Sequence, residues 1–207
     1  MTNVLVIKAH PLNSNFSRTL KVLDAFLSSY HDTHPTDNVT VKDLYQMNFP
    51  EIDAEMMGAW NDLRAGKQFE SLTPSQREKI NTFNTSVQEF IDADKVIIAN
   101  PLWNMSIPTK LKSWIDSINA AGKTFKYNPD GTASPLAPGK HILHIQAAGG
   151  KYDGKDFGTQ YIQMMMNYLG ASTTEKISVE GMDHFPDQAQ TIVNEAVEEA
   201  KQAATKF

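Results

Sequence analysis

Residues 10–19 place hydroxyl, amide and basic side chains directly after a short apolar run. Ser17, Arg18 and Thr19 stand where the following amphipathic stretch begins, so free N–H groups of a helix start would lie beside two hydroxyls and a guanidinium. The sequence contains neither G-x-G-x-x-G nor G-x-x-x-x-G-K-[ST], so the segment is not a dinucleotide-binding turn or a Walker A loop. It suits a single phosphate group. The alternative is that Ser17 only caps its helix.

A second segment, residues 101–107, leaves an apolar run and puts large side chains where a loop is expected. Its members are Pro101, Leu102, Trp103, Asn104 and Met105. Apolar groups beside backbone donors suit a flat heteroaromatic ring, and an amide side chain suits the polar edge of that ring. The alternative is that Trp103 packs in the core or in a subunit interface.

A third segment follows a later apolar run and contains Ala147, Ala148, Gly149 and Gly150. Glycine allows a ligand to approach the backbone closely, although the pair is equally consistent with a tight turn. His10 precedes a proline, which favours extended backbone and directs the imidazole toward the first segment. A single loop histidine often has no chemical role.

The elements that must position these segments alternate along the chain. Apolar or alternating stretches predict strands at 4–9, 37–45, 95–101, 140–147 and 174–180. Amphipathic stretches predict helices at 18–31, 73–93, 108–122, 159–171 and 187–205, with a short helix in 51–70 and a loop or short hairpin in 123–139. This alternation predicts an α/β, flavodoxin-like three-layer sandwich with a five-stranded parallel sheet in the order 2-1-3-4-5. Residues 1–207 are predicted to form one such domain.

Ligands of this fold bind beyond the carboxyl ends of the strands, where the strand order reverses. The three segments follow the first, third and fourth predicted strands, so they should converge there. A phosphate loop, a ring-contact loop and a glycine loop together indicate a nucleotide with a flat ring, and flavin mononucleotide (FMN) fits.

Composition excludes several other functions. The chain has 207 residues, no cysteine and a net charge of −5, without a dense basic cluster. Disulfides, cysteine–zinc sites and nucleic acid as the main partner are therefore not expected. No apolar run approaches the roughly 20 residues of a membrane span, and no leader segment is visible. These features predict a cytoplasmic protein.

Other motifs for chemistry are absent or weak. His141 and His144 are three residues apart on a predicted strand and so face opposite sides. The Asp183–His184 pair has no second cluster of ligands nearby in sequence, and no metal site is predicted. There is no G-x-S-x-G elbow.

The stretches NPLWNMSIPTKLKSWID (100–116), AGKTFKY (121–127) and the AAGG loop resemble the FMN-dependent NADH azoreductases, also described as FMN-dependent NADH:quinone oxidoreductases. The resemblance extends along nearly the whole chain. It implies a homodimer with FMN at the interface, and hydride transfer from NADH or NADPH through flavin N5 to a quinone or azo compound in a ping-pong reaction.

The resemblance also implies roles for single residues. His10, Ser17, Arg18 and Thr19 would contact the FMN phosphate region. The isoalloxazine ring would be lined by Pro101, Leu102, Trp103, Asn104 and Met105, and its pyrimidine end by Ala147, Ala148, Gly149 and Gly150. Phe125 would help to shape the substrate slot near the partner's flavin. No side-chain acid or base is implied.

The sequence departs from the family pattern in two places. His10 stands where many relatives have serine, and two alanines precede the glycines where relatives often have a polar pair. Two stretches, AHPLNSNFSRTL (9–20) and DLYQMNFPEID (43–53), also resemble FAD-dependent NAD(P)H quinone dehydrogenases. An FAD enzyme, a flavodoxin-like electron carrier, a redox-sensing regulator and a cofactor-free binding domain therefore remain open.

Overall fold

The computed structural model describes residues 1–207. The main elements alternate along the chain, as predicted. In chain order they are β1 (Asn3–Lys8), α1 (Arg18–Thr33), β2 (Asn38–Asp43), α2 (Ala54–Arg64), α3 (Pro74–Asp92), β3 (Lys95–Pro101), α4 (Thr109–Ile118), β4 (Phe125–Tyr127), β5 (Ala133–Pro135), β6 (His141–Ala148), α5 (Phe157–Tyr168), β7 (Thr173–Glu180) and α6 (Ala189–Ala204).

Five strands form a parallel sheet in the order β2-β1-β3-β6-β7. Counting only these five strands, the order is 2-1-3-4-5, which confirms the predicted flavodoxin-like fold. The short strands β4 and β5 form a separate antiparallel hairpin within the segment predicted as a loop or hairpin. The strand order reverses between β1 and β3, so their carboxyl ends border a crevice.

Each face of the sheet carries its own apolar core. One core packs α2, α3, α4 and α5 against residues such as Ile7 and Ile98. The other core packs α1 and α6 against Val6 and Ile97, which directly precede Ile7 and Ile98 in the same strands. Adjacent strand residues thus enter opposite cores, which explains why the central strands are apolar throughout. None of the helices combines the length and apolar character that a membrane span requires.

Helix α4 is shorter than the predicted 108–122. It ends at Ile118, because side chains bond the carbonyl groups of its last turn. Asn119 Nδ2 donates to the carbonyl oxygen of Ile115 at 2.6 Å, and Thr124 Oγ1 donates to that of Ile118 at 2.6 Å. Gly122, with φ of 82°, belongs to the following turn rather than to the helix end.

Candidate functional site

A cavity of about 360 Å³ lies at the point where the strand order reverses, and we call it the switch-point cavity. It is bordered by the loops after β1, β3, β6 and β7. Its lining residues are His10, Phe16, Ser17, Arg18, Thr19, Pro101, Leu102, Trp103, Ala147, Ala148, Gly149, Met182 and Asp183. Its size falls within the range of small-molecule sites.

The start of α1 presents several unused hydrogen-bond donors to this cavity. Ser17 caps the helix and its Oγ accepts from the N–H of Leu20 at 3.3 Å. The N–H groups of Arg18 and Thr19 have no acceptor in the protein. Thr19 is 1% exposed, and its Oγ1 is the one buried side-chain oxygen or nitrogen without a hydrogen-bond partner. An orphaned buried hydroxyl is costly unless a ligand satisfies it.

The loop after β3 combines an anchored base with an exposed tip. The N–H of Leu102 donates to the carbonyl oxygen of Ala147 at 2.8 Å, and Trp103 and Ser106 exchange two backbone hydrogen bonds of 3.0 Å. Between them, Asn104 and Met105 have φ values of 49° and 66°. Two consecutive non-glycine residues in the left-handed region are unusual and occur at functional sites.

His10 lies against the exposed tryptophan of this loop. The ring centroids of His10 and Trp103 are 5.7 Å apart. Nδ1 of His10 accepts from the N–H of Leu12 at 3.1 Å, which leaves Nε2 to carry the proton of the neutral ring. Burial, together with the nearby charge of Lys8, holds the pKa of His10 below its ordinary value of 6.5. His10 is therefore a neutral donor rather than a cation at pH 7.

The loop after β6 meets the turn that follows β7. The N–H of Asp183 donates to the carbonyl oxygen of Gly149 at 2.9 Å. A Cβ at position 149 would lie 1.9 Å from Asp183 Oδ2, so only glycine leaves room for this carboxylate. A Cβ at Gly150 would instead lie 3.0 Å from the ring of Tyr152.

A buried polar network lies beneath the cavity. His144 Nε2 and Asn100 Oδ1 are 2.9 Å apart, and Gln146 Nε2 donates to Asp156 Oδ1 at 3.1 Å. Asp156 caps α5 through the N–H of Thr159 at 2.7 Å. Asn100 and Gln146 directly precede Pro101 and Ala147, so the network holds the strand ends from which the cavity loops depart.

Arg18 and Asp183 are the two charged side chains that line the cavity. Arg18 Nη1 lies 3.5 Å from Asp183 Oδ1, which joins the start of α1 to the turn after β7. The described structure contains no group of three or more His, Cys, Asp or Glu side chains placed to hold a metal ion.

The structure brings most of the predicted site residues together. Ten line the cavity, namely His10, Ser17, Arg18, Thr19, Pro101, Leu102, Trp103, Ala147, Ala148 and Gly149. Asn104 and Met105 lie at the tip of the adjoining turn, and Gly150 packs against Tyr152. Phe125 does not line the cavity.

Phe125 lies in the core rather than at the surface. It is 6% exposed, and its ring centroid is 5.3 Å from that of Tyr127 and 5.2 Å from that of Tyr168. Tyr127, two residues along the same strand, is 70% exposed. The ring that this hairpin presents to the surface is thus the tyrosine.

Sequence reasoning missed three lining residues, Phe16, Met182 and Asp183. Phe16 directly precedes the helix cap in the first loop. Met182 and Asp183 follow β7, whose neighbour β6 contributes the glycine loop. The rule that ligands bind beyond strand carboxyl ends could have identified this fourth loop.

Comparisons with known proteins agree with this geometry. A family model described as a flavodoxin-like fold matches residues 2–204. The FMN-dependent NADH:quinone oxidoreductase of Streptococcus suis is 39% identical over 207 residues, covering all of both chains. The crystal structure of azoreductase from Bacillus anthracis strain Sterne has a TM-score of 0.90 and 35% identity over the whole of both chains.

A second solved structure shows a bound cofactor. The FMN-dependent NADH-azoreductase of Bacillus anthracis strain Ames Ancestor, in complex with FMN, has a TM-score of 0.92 and 29% identity, covering 100% of this chain and 99% of that one. Together with the match of residues 2–204 to the family model, these similarities confirm the resemblance predicted from the sequence. The chain belongs to the flavodoxin-like family that contains the FMN-dependent NADH:quinone oxidoreductases.

Proposed function

We propose that this chain is an FMN-dependent oxidoreductase that transfers two electrons from NADH to quinones and azo compounds. The observation that carries the proposal is the set of unused donors at the start of α1, where the buried Thr19 hydroxyl and two free N–H groups lie in the switch-point cavity. Relatives of this length and fold are named for FMN, NADH, quinones and azo reduction.

The phosphate of FMN would be held by Ser17, Arg18 and Thr19. Two helix N–H groups, the Thr19 hydroxyl and the Arg18 guanidinium can all donate to it, and the positive end of the helix dipole favours a dianion. Because Thr19 Oγ1 has no partner within the protein, a phosphate oxygen would remove the cost of that orphaned group.

The ring of FMN would lie against the loops after β3 and β6. Pro101, Leu102 and Trp103 offer apolar contact, with Asn104 and Met105 at the adjoining turn. Ala147, Ala148, Gly149 and Gly150 offer backbone groups at the other side. Trp103 is 41% exposed and Met105 is 40% exposed, which is consistent with surfaces that a ligand or a second subunit covers.

Bound FMN supplies hydride chemistry, since its N5 can take a hydride from NADH and later give it to an acceptor. The side chains of this chain position the ring and exclude water. His10, neutral and with a proton on Nε2, offers one donor beside Trp103. The two alanines before Gly149 offer only backbone groups to the ring.

We also propose that two copies of the chain form a homodimer through α5. Phe157, Tyr161, Met164 and Tyr168 repeat at helical spacing on one side of this helix, and Phe157 and Met164 are 67% and 60% exposed. A Cβ at Gly158 would lie 3.0 Å from Leu102 Cδ1, so α5 begins beside the cavity. A partner seated on α5 would therefore approach the cofactor site.

In such a dimer, the hairpin β4–β5 would contribute to the substrate slot. Phe125, predicted for this role, would act by anchoring the hairpin in the core, and Tyr127 would present its exposed ring to the partner. Sedimentation velocity tests the dimer. Met164→Glu should produce monomers, whereas Met57→Glu, at a 48% exposed methionine on α2, should not. A monomeric unmodified protein would contradict the proposal.

The enzyme activity is tested with FMN-loaded protein under anaerobic conditions. One equivalent of NADH should bleach the flavin absorption, and one equivalent of a benzoquinone or an azo dye should restore it. Initial rates at several fixed NADH concentrations should give parallel double-reciprocal lines, as expected for a ping-pong reaction. Protein that holds FMN but exchanges no electrons with NADH would contradict the enzyme proposal and favour a carrier or regulator.

A further inference from the structure

One lining residue of the switch-point cavity carries a negative charge, the same sign as the phosphate of the proposed cofactor. Asp183 is the single carboxylate among the lining residues, and Arg18 is the single residue with a full positive charge. FMN carries a phosphate of about two negative charges at neutral pH. A carboxylate at this position needs an explanation, because like charges in one site repel each other.

The backbone holds Asp183 firmly at the cavity. The N–H of Gly181 donates to the carbonyl oxygen of Gly150 at 2.9 Å and to that of Ala148 at 3.2 Å. The N–H of Asp183 donates to Gly149 in the same way. The turn after β7 is thus tied by three hydrogen bonds to the glycine loop, and the carboxylate occupies the space left by the missing side chain of Gly149.

The carboxylate of Asp183 faces the guanidinium that the phosphate would need. Their closest atoms, Arg18 Nη1 and Asp183 Oδ1, are 3.5 Å apart, and Arg18 forms no other ion pair. The side chains of Arg18 and Asp183 are 47% and 69% exposed, so the pair is weak enough to open.

We propose that Asp183 is a specificity-determining residue that competes with the cofactor phosphate for Arg18. It thereby reduces the preference of the site for phosphate-bearing flavin over flavin without phosphate. The cost of breaking the Arg18–Asp183 pair falls only on a ligand that recruits Arg18. This inference rests on the proposed function, since it takes the cavity to be the flavin site.

The test compares FMN with riboflavin, which has the same ring and ribityl chain but no phosphate. Both are titrated into flavin-free protein, and binding is followed by the change in flavin fluorescence. Asp183→Asn keeps the shape and acceptor oxygen of the side chain and removes its charge. It should lower the Kd for FMN about threefold to fivefold, in line with the strength of an exposed ion pair, and leave the Kd for riboflavin unchanged.

Two further variants separate competition for Arg18 from other effects of charge. Asp187→Asn removes the same charge from the adjacent turn, outside the cavity, and should change neither Kd. In an Arg18→Gln background, Asp183→Asn should no longer improve FMN binding. A full improvement in that background would show direct repulsion instead and overturn the proposed competition.

Unchanged or weaker FMN binding by Asp183→Asn would overturn the inference while leaving the flavin enzyme intact. An equal gain for FMN and riboflavin would also overturn it, because the phosphate would then have no part in the effect. Failure of the unmodified protein to bind either flavin would instead contradict the proposed function.

Discussion

The N–H of Leu102 donates a 2.8 Å hydrogen bond to the carbonyl oxygen of Ala147, which joins the loops after β3 and β6 at the floor of the switch-point cavity. Asn100, two residues before Leu102, and Gln146, directly before Ala147, are fully buried and belong to the polar network below. The two loops proposed to hold the flavin ring therefore share one rigid base. The tip of the loop after β3, with Trp103 and Met105, is exposed and free to contact the ligand.

Replacing Thr19 by valine should raise the stability of the flavin-free protein and weaken its binding of FMN. Thr19→Val removes the orphaned hydroxyl but keeps the branched shape. We expect the flavin-free protein to gain about 1 kcal/mol of unfolding free energy, because a buried unsatisfied group is lost. FMN affinity should fall at least about tenfold through loss of a charge-assisted hydrogen bond.

Urea unfolding of the flavin-free protein and a fluorescence titration with FMN measure the two effects. Thr19→Ser keeps the hydroxyl and is the matched control for FMN binding. Loss of stability in Thr19→Val would show that the hydroxyl is not an unsatisfied group in the flavin-free protein. Unchanged FMN affinity would show that the hydroxyl does not contact the cofactor.

Replacing Trp114 by alanine should cost far more stability than replacing Trp103 by alanine. Trp114 is 1% exposed in the core, so its loss should cost about 3–5 kcal/mol of stability. Trp103 is 41% exposed, so Trp103→Ala should cost less than about 1 kcal/mol in the flavin-free protein but weaken FMN and riboflavin alike. Thermal unfolding and flavin titration of both variants test this. A large stability loss from Trp103→Ala would mean that the ring serves packing.

Gly149 should accept a side chain only if the carboxylate of Asp183 moves. In Gly149→Ala the new Cβ would displace this exposed carboxylate and break its contact with Arg18, which we expect to cost up to about 1 kcal/mol of unfolding free energy. Adding Asp183→Ala should recover most of this loss. Gly58→Ala is the control, since its Cβ would have no atom nearer than 4.0 Å and helix α2 should gain about 0.5–1 kcal/mol. Chemical denaturation of these three variants and of Asp183→Ala alone tests the packing; an equal cost of Gly149→Ala with and without Asp183 would refute it.

His144 should make stability depend on pH. Burial, with the nearby charge of Lys176, lowers the pKa of His144 from 6.5 to about 3 in the folded protein. The unfolded chain therefore binds the proton first, so this contribution is complete above pH 6.5 and is lost as the pH falls toward 3. Between pH 7 and 5 the loss should be about 2 kcal/mol.

His144→Gln removes this titration and should lose about 2 kcal/mol less than the unmodified protein over the same pH interval, although it starts from lower stability. His31→Gln, at an exposed position on α1, should retain the full dependence. Urea unfolding at several pH values measures the difference. If the unfolding free energies of the unmodified protein and His144→Gln depend on pH in parallel, the pKa of His144 is not lowered in the folded protein. A single cooperative transition in these experiments would also support the predicted single domain.

The sequence predicts the sheet and the site loops for clear physical reasons. Val6 and Ile97 belong to continuous apolar runs, which only strands buried on both faces require, and the strand order then brings Ser17 and Gly149 to one crevice. Pro74 after Thr73 predicts the start of α3, and the structure shows a complete capping box there.

What the sequence does not predict depends on tertiary packing. Phe125 and Tyr127 belong to one strand and resemble each other in type, yet packing against Tyr168 buries only the phenylalanine. Met182 and Asp183 carry no motif. The strand order places the turn after β7 near the cavity, but its hydrogen bonds to the glycine loop hold these two residues in the lining. The orphaned state of Thr19 likewise emerges only when all neighbouring acceptors are known.

If the switch-point cavity holds FMN, the purified protein should carry this flavin, and identifying the bound cofactor tests this. The absorption spectrum is recorded, the cofactor is released by heat, and it is identified by chromatography. We predict flavin bands and the release of one FMN per chain. Release of FAD would place the protein with the quinone dehydrogenases that use that cofactor. A colourless protein that takes up neither flavin on incubation would show that the switch-point cavity is not a flavin site.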